Sequence, residues 1–222
     1  VVSGSGIKIV GCDVVSAQGT GIQIDAGGPI IDSCMITSCA VGVNSQSDAT
    51  SLIGCWITGS SSYGLVLAGN NCRVVGCHVA TNGSGGTSGI LVQGSYSIVS
   101  DCYIGDNTRH GIEVSSGDYN IIRGCMVFEN SQGSAGTYDG IELSSSADAN
   151  IVTGNLVRGI TDHAYGIDCQ SVTNYVFGNY LLGGGASGAL NGTVKTSWGS
   201  NQVYDGVSAH TAIVGSMVNV TA

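Results

Sequence analysis

Val74-Val75-Gly76-Cys77-His78-Val79 is the phrase whose reading decides the fold. Two apolar residues lead through a small residue to a cysteine, then to any residue and another apolar one. The phrase returns as Ile9-Val10-Gly11-Cys12-Asp13-Val14 and as Leu52-Ile53-Gly54-Cys55-Trp56-Ile57. With asparagine in the cysteine slot it reads Ile151-Val152-Thr153-Gly154-Asn155-Leu156-Val157. Cys12, Cys34, Cys55, Cys77, Cys102, Cys125, Asn155, Asn179 and Asn201 fill that slot, at intervals of 22, 21, 22, 25, 23, 30, 24 and 22 residues. A period in this range marks a solenoid, in which each coil buries its apolar side only by stacking on its neighbours.

A second phrase keeps step with the first. Gly21-Ile22-Gln23-Ile24 recurs as Gly64-Leu65-Val66-Leu67, Gly89-Ile90-Leu91-Val92, Gly111-Ile112-Glu113-Val114, Gly140-Ile141-Glu142-Leu143 and Gly166-Ile167-Asp168-Cys169, and weakly as Gly188-Ala189-Leu190. From this glycine to the next slot residue is 13 positions in six of eight coils, whereas the return path varies from 8 to 15. One side of each coil is therefore fixed by packing and the other absorbs the insertions. Period-2 alternation sends Ile112 and Val114 inward and Glu113 outward. No stretch has a helical period, and hairpin turn signals are scarce. The expected fold is all-β: a right-handed parallel β-helix of about nine coils with an inward Cys/Asn ladder. It spans residues 1–205 and forms a rod roughly 40 Å long at about 4.8 Å per coil. Residues 206–222 are expected to be a closing coil or C-terminal cap or strand, with Ser216 of Ile213-Val214-Gly215-Ser216-Met217-Val218 in the slot.

Composition narrows the function. The chain has 222 residues, 15 acidic against six basic ones, a net charge of −9 and a single proline. That balance argues against nucleic-acid binding, and no apolar run is long enough for membrane insertion. The chain opens at Val1 in mid-coil and reads as part of a longer protein. Six of the nine cysteines share one repeat position. Stacked about 4.8 Å apart with parallel side chains, they suit disulfides poorly and are expected as buried thiols, formed in a reducing cytoplasm. No cofactor and no metal site is expected. His78 and His210 read as surface or turn histidines.

Gly-Ile-x-Val followed by Asn-x-Ile-Val-x-Gly-Asn resembles the pectate-lyase-like β-helix superfamily, and phage tailspikes and polysaccharide depolymerases in particular, over about residues 6–205. Tyr165-Gly166-Ile167-Asp168 is similar to the Tyr-Gly-Phe-Asp stretch of alginate epimerases, with Cys169 and Gln170 where their proline and histidine stand. His110-Gly111-Ile112 resembles the Gly-His-Gly of polygalacturonases, without the paired aspartates. The resemblance implies a polysaccharide partner, a homotrimer, and a place on a virion tail or outside the cell. The half-apolar outer file Asp13, Met35, Trp56, His78, Tyr103 and Met126 is read as a subunit-packing surface.

Chemistry is expected on the outward slot of the glycine phrase: Gln23, Asn44, Val66, Leu91, Glu113, Glu142, Asp168, Leu190. Three successive coils present carboxylates there, so at least one pKa should rise, as a general acid requires. Glu113, Glu142 and Asp168 are the candidate acid and base of a glycosidase. Arg109, His110, Tyr138, Asp139, Asp162, His163 and Tyr165 are candidate substrate-binding residues. They sit on turns beside the file, where the long return loops 79–88, 126–139 and 156–165 wall one edge. Tyr138 and Tyr165 suit stacking on sugars, and Arg109 an acidic substituent. The alternatives are a non-catalytic stalk or adhesin, and a polysaccharide lyase or epimerase.

Overall fold

A computed structural model describes residues 1–159, 162–183, 186–192, 201–204 and 209–212. They form a right-handed parallel β-helix without α-helix, in three sheets that run the length of the rod. The first sheet holds eight strands, from Lys8–Val10 to Tyr175–Phe177, each just before a slot residue. The second begins with Asp13–Val15, just after the slot, and the third holds the eight glycine-phrase strands from Thr20–Ile24 to Gly188–Gly192. The turns therefore number about eight, not nine. The ninth repeat adds Asn201–Tyr204 to the second sheet, but Ala209–Ala212 then pairs with it antiparallel. The rest of 206–222, with the Ser216 phrase, lies outside the described residues.

Each strand sends its apolar residues to a common interior. Ile31, Leu52, Val74, Ile122, Val152 and Val176 of the first sheet, and Ile36, Ile57, Val79, Ile104, Val127 and Leu181 of the second, are almost wholly buried. Burying each such side chain is worth about 1.5–3 kcal/mol, so the rod is held by stacking between coils.

All three corners solve the same backbone problem. At the first, Gly11, Ser33, Gly54, Gly76, Asp101, Gly124, Gly154 and Gly178 take positive φ immediately before the slot residues. Asn155 Nδ2 donates to Ile122 O, Asn179 Nδ2 to Val152 O and Asn201 Nδ2 to Val176 O, at 3.0–3.2 Å. The thiols reach the corresponding carbonyls of their own preceding coils, Cys34 to Ile9 at 3.7 Å, Cys55 to Ile31 at 3.5 Å and Cys125 to Val99 at 3.7 Å. These cysteines are thus weak donors as well as fillers. All nine cysteines are free, and Cys12 alone is exposed.

The other two corners carry rows of their own, which include two of the off-slot cysteines. Cys39, Ser60, Asn82, Asn107 and Asn130 mark the second corner. There Asn82 N–H donates to Asn107 Oδ1 (3.0 Å) and Asn107 N–H to Asn130 Oδ1 (3.1 Å). At the third, Cys72 N–H meets Ser97 Oγ, Ser97 N–H meets Asn120 Oδ1, and Asn120 N–H meets Asn150 Oδ1, at 2.7–3.0 Å. The phrase glycines lie against the second row. A Cβ on Gly42 would stand 2.4 Å from Gly64 O and 3.2 Å from Ser60 Oγ, and one on Gly64 would stand 2.7 Å from Asn82 Nδ2. No side chain fits at Gly42 or Gly64, which is why those coils carry glycine there.

Candidate functional site

The third sheet puts Gln23, Asn44, Val66, Leu91, Glu113, Glu142 and Asp168 side by side in successive coils. Asn191, not Leu190, continues the file. Leu190 pairs with Ile167 because the last repeat is displaced by one residue, with Ala189 at the glycine position. Nor is the file open to solvent throughout. Val66, Leu91 and Asp168 are buried, and Glu113 and Glu142 are half-buried.

The three carboxylates are held by different partners. Ser88 Oγ donates to Glu113 Oε2 at 2.6 Å from the return loop one coil earlier. Gln170 Nε2 bridges Glu142 Oε1 (3.1 Å) and Asp168 Oδ2 (3.0 Å), so those two oxygens are at most about 6 Å apart. Asn191 Nδ2 donates to Asp168 Oδ1 at 2.9 Å. Burial pushes the Glu142 pKa up; the nearby His110 opposes this, and Glu113, Asp139 and Asp168 add to it. Burial also raises Asp168, against the hydrogen bonds from Gln170 and Asn191. Gln170, Asn191 and Ser88 were not among the expected site residues. Gln170 stands two residues beyond Asp168, on the same face of an extended strand, and that spacing was the available signal.

His110 does not merely flank the file on a turn. It is buried and crosses to the next coil, with Nε2 3.2 Å from Glu142 Oε2. Its Nδ1 accepts the Asp139 N–H at 2.9 Å. In the neutral ring the proton must then sit on Nε2, facing Glu142. Asp139 is also buried; its Oδ2 lies 3.4 Å from Nδ1, and its Oδ1 accepts the Tyr165 N–H at 2.9 Å. Tyr138 packs edge-on against His110 at 5.3 Å, and the Arg109 guanidinium lies 4.8 Å from the Tyr138 ring centre. Arg109, His110, Tyr138, Asp139 and Glu142 thus form one contiguous cluster.

Asp162 and His163 are not brought to it in the same way. His163 is fully buried at the end of the second-corner row, where its Nε2 accepts the Asn130 N–H at 2.9 Å. Burial lowers its pKa to about 4. Burial raises the Glu129 pKa and neighbouring Asp162 adds to it, while the Glu129 carboxylate pairs with Arg158 at 2.9 Å, on the second-sheet side of the return loop. The insertion that carries both residues folds its histidine inward as a substitute for asparagine.

A family described as "NosD: Periplasmic copper-binding protein (NosD)" matches residues 5–212. No curated protein sequence matches this chain. Among solved structures it is similar to the mannuronan C-5 epimerase AlgE4 A-module of Azotobacter vinelandii, with TM-score 0.71, 16% identity, and 88% of this chain covered against 57% of the epimerase. An alginate lyase from Paenibacillus sp. str. FPU-7 gives TM-score 0.64 and 16% identity, covering 88% of this chain and 77% of the lyase. The enzymatically active domain of tailspike protein 2 from bacteriophage CBA120 gives 0.63 and 16%, covering 83% and 32%. At these identities the likeness is one of fold. The chain spans a little over half the length of the first of these structures.

Proposed function

The chain belongs to the NosD family, and from that premise we propose that it works outside the cytoplasm on a carbohydrate polymer laid along the third sheet, with hydrolysis of a glycosidic bond at Glu142 and Asp168. The observation that carries this reading is the carboxyl pair joined by Gln170, with His110 behind Glu142. An upper limit of about 6 Å between the bridged oxygens suits the roughly 5–5.5 Å of a retaining glycosidase better than the roughly 6.5–9.5 Å of an inverting one. Glu142, whose pKa burial raises, gives its proton to the glycosidic oxygen. Asp168, held by Gln170 and Asn191, attacks the sugar carbon as that oxygen leaves, giving a glycosyl ester, while the His110 Nε2–H faces the new Glu142 carboxylate and stabilises it. Water then attacks the same carbon, gives its proton to Glu142 and frees the Asp168 carboxylate. Arg109, Tyr138 and Tyr165 supply a cation and aromatic rings at the groove edge for the sugar.

Copper, named in the family description, does not fit the described residues. Among them no group of three or more His, Cys, Asp or Glu side chains is placed to hold a metal ion. His110 has both ring nitrogens engaged. Thiols are the soft donors copper favours, but eight of the nine are buried in the rod and none stands in such a group.

The finer reading is a trimeric, virion-attached tailspike. It draws on the tailspike likeness and on the outer file of the second sheet, where Trp56, His78 and Tyr103 stack at 3.6 and 4.7 Å. Sedimentation at micromolar concentration tests it, and a monomer would remove the trimer.

The hydrolase is tested by incubating the protein with alginate, polygalacturonate and lipopolysaccharide and sizing the products. E142Q and D168N should each slow cleavage by about 10²-fold or more. Undiminished cleavage by the combined E113Q, E142Q and D168N variant would refute the assignment. Absorbance from unsaturated sugar ends would replace hydrolysis with β-elimination.

A further inference from the structure

At the third corner, the residue before the row of buried side chains takes a left-handed backbone conformation in coil after coil: Ala49, Asn71, Tyr96, Tyr119 and Ala149, with φ between 55° and 60°. Small or amide side chains are what that conformation tolerates; a bulky ring there is an outlier. Tyr96 and Tyr119 nevertheless occupy it in consecutive coils. Their rings stack parallel at 5.1 Å with an interplanar angle of 4°. They are 57% and 55% exposed, so burial does not offset the backbone cost. The ring stack offsets only part of that cost, and strain kept on two exposed rings points to a ligand.

The surroundings say which kind. Asn71 precedes the ring pair in the stack and Ala149 follows it, so short side chains flank the two outer ring faces. The neighbouring groups are hydrogen-bonding ones. Asn70 Oδ1 accepts the Ser95 N–H, Ser95 Oγ the Asp118 N–H and Asp118 Oδ1 the Asp148 N–H, with Gln93 and Ser116 exposed beside them. Two aromatic faces in a frame of amides, carboxylates and hydroxyls match a sugar ring, which offers C–H groups on one face and hydroxyls at its rim. A protein partner would want a broader apolar patch, of the order of 800 Å² on this side, and these neighbours are polar.

We propose that Tyr96 and Tyr119 form a stacking platform for a carbohydrate chain, a second binding site on the corner that follows the carboxylate groove. The proposal shares with the reading above only the class of ligand. The platform holds polymer without cleaving it, so loss of the rings weakens capture of long chains and leaves the bond-breaking step alone.

The test is native gel electrophoresis through alginate, polygalacturonate or hydroxyethyl cellulose, with parent and Y96A/Y119A proteins. Alanine already occupies this corner at positions 49 and 149, so the double variant should fold, which its far-ultraviolet circular dichroism and thermal midpoint will show. Expected is retardation of the parent by at least one polymer and a fall of five-fold or more in the double variant's affinity. Equal retardation of Y96A/Y119A and parent would overturn the platform while leaving the groove intact. Failure of all three polymers to retard the parent would overturn it too.

Discussion

Replacing Asn155 by alanine tests the idea that each corner side chain serves the coil before it. Asn155 is fully buried. Its Oδ1 accepts the Cys125 N–H at 2.9 Å, and its Nδ2 donates to Ile122 O at 3.0 Å and Asn179 Oδ1 at 2.9 Å. Alanine leaves the Cys125 N–H without that acceptor and opens a small void. An orphaned buried group costs about 1–3 kcal/mol, and with the void the expected loss is about 3 kcal/mol. Asn155→Cys restores what the earlier coils use: Cys102 Sγ accepts the Cys77 N–H at 3.4 Å, and Cys125 Sγ reaches Val99 O at 3.7 Å. Sulfur bonds are longer and weaker, so this variant should lose about half as much. Urea midpoints supply the comparison. Native-state hydrogen exchange at the Cys125 amide supplies a local readout, because stacked coils can depart from two-state unfolding. A loss below about 1 kcal/mol for alanine, or a cysteine variant no better than alanine, would refute the reasoning.

The glycines separate steric contact from backbone strain. Gly42→Ala drives a Cβ to 2.4 Å from Gly64 O, whereas Gly76→Ala, at φ 63°, meets nothing within 4 Å. Thermal unfolding should show about 3 kcal/mol or more lost in the first and about 1–2 in the second; similar losses would contradict the close-approach explanation. His163 gives a pH signature. Its folded pKa of about 4 lies below the unfolded value near 6.5, so the unfolded chain binds the extra proton. The stability this confers is complete above pH 6.5 and lost as pH falls towards 4, by about 3 kcal/mol at 1.36 kcal/mol per pH unit. His163→Gln, which keeps an acceptor for the Asn130 N–H, should flatten that slope in urea titrations at pH 7 and pH 4. An unchanged slope would place the acid sensitivity elsewhere.

The period of the slot residues was enough to place the strands, because stacking ties each coil to one register. Much of the rest depended on contacts between coils that the spacing does not encode. The second and third rows escaped notice because their members change chemistry from coil to coil, as in Cys39, Ser60, Asn82 and His163. The groove file slipped to Leu190 because Ala189 broke the glycine cue that had marked every earlier coil. His110 reads as a turn residue in its own coil, and only the depth of the groove shows it touching Glu142 of the next. His78, read as a surface or turn histidine, lies on a strand of the outer face as the middle ring between Trp56 and Tyr103. The file of neighbours in successive coils implied that stack, but the single residue did not.

The bare positions at Gly42 and Gly64 also bear on how such a rod can change over generations. A single altered residue there meets the backbone or corner side chains of the coil beyond, but a whole duplicated turn brings its own bare position and its own neighbour. Growth by complete turns is therefore the permitted move. A working edge would be revised by lengthening individual return turns, as the insertion ahead of Asp139 has done without moving Glu113 and Glu142 out of step.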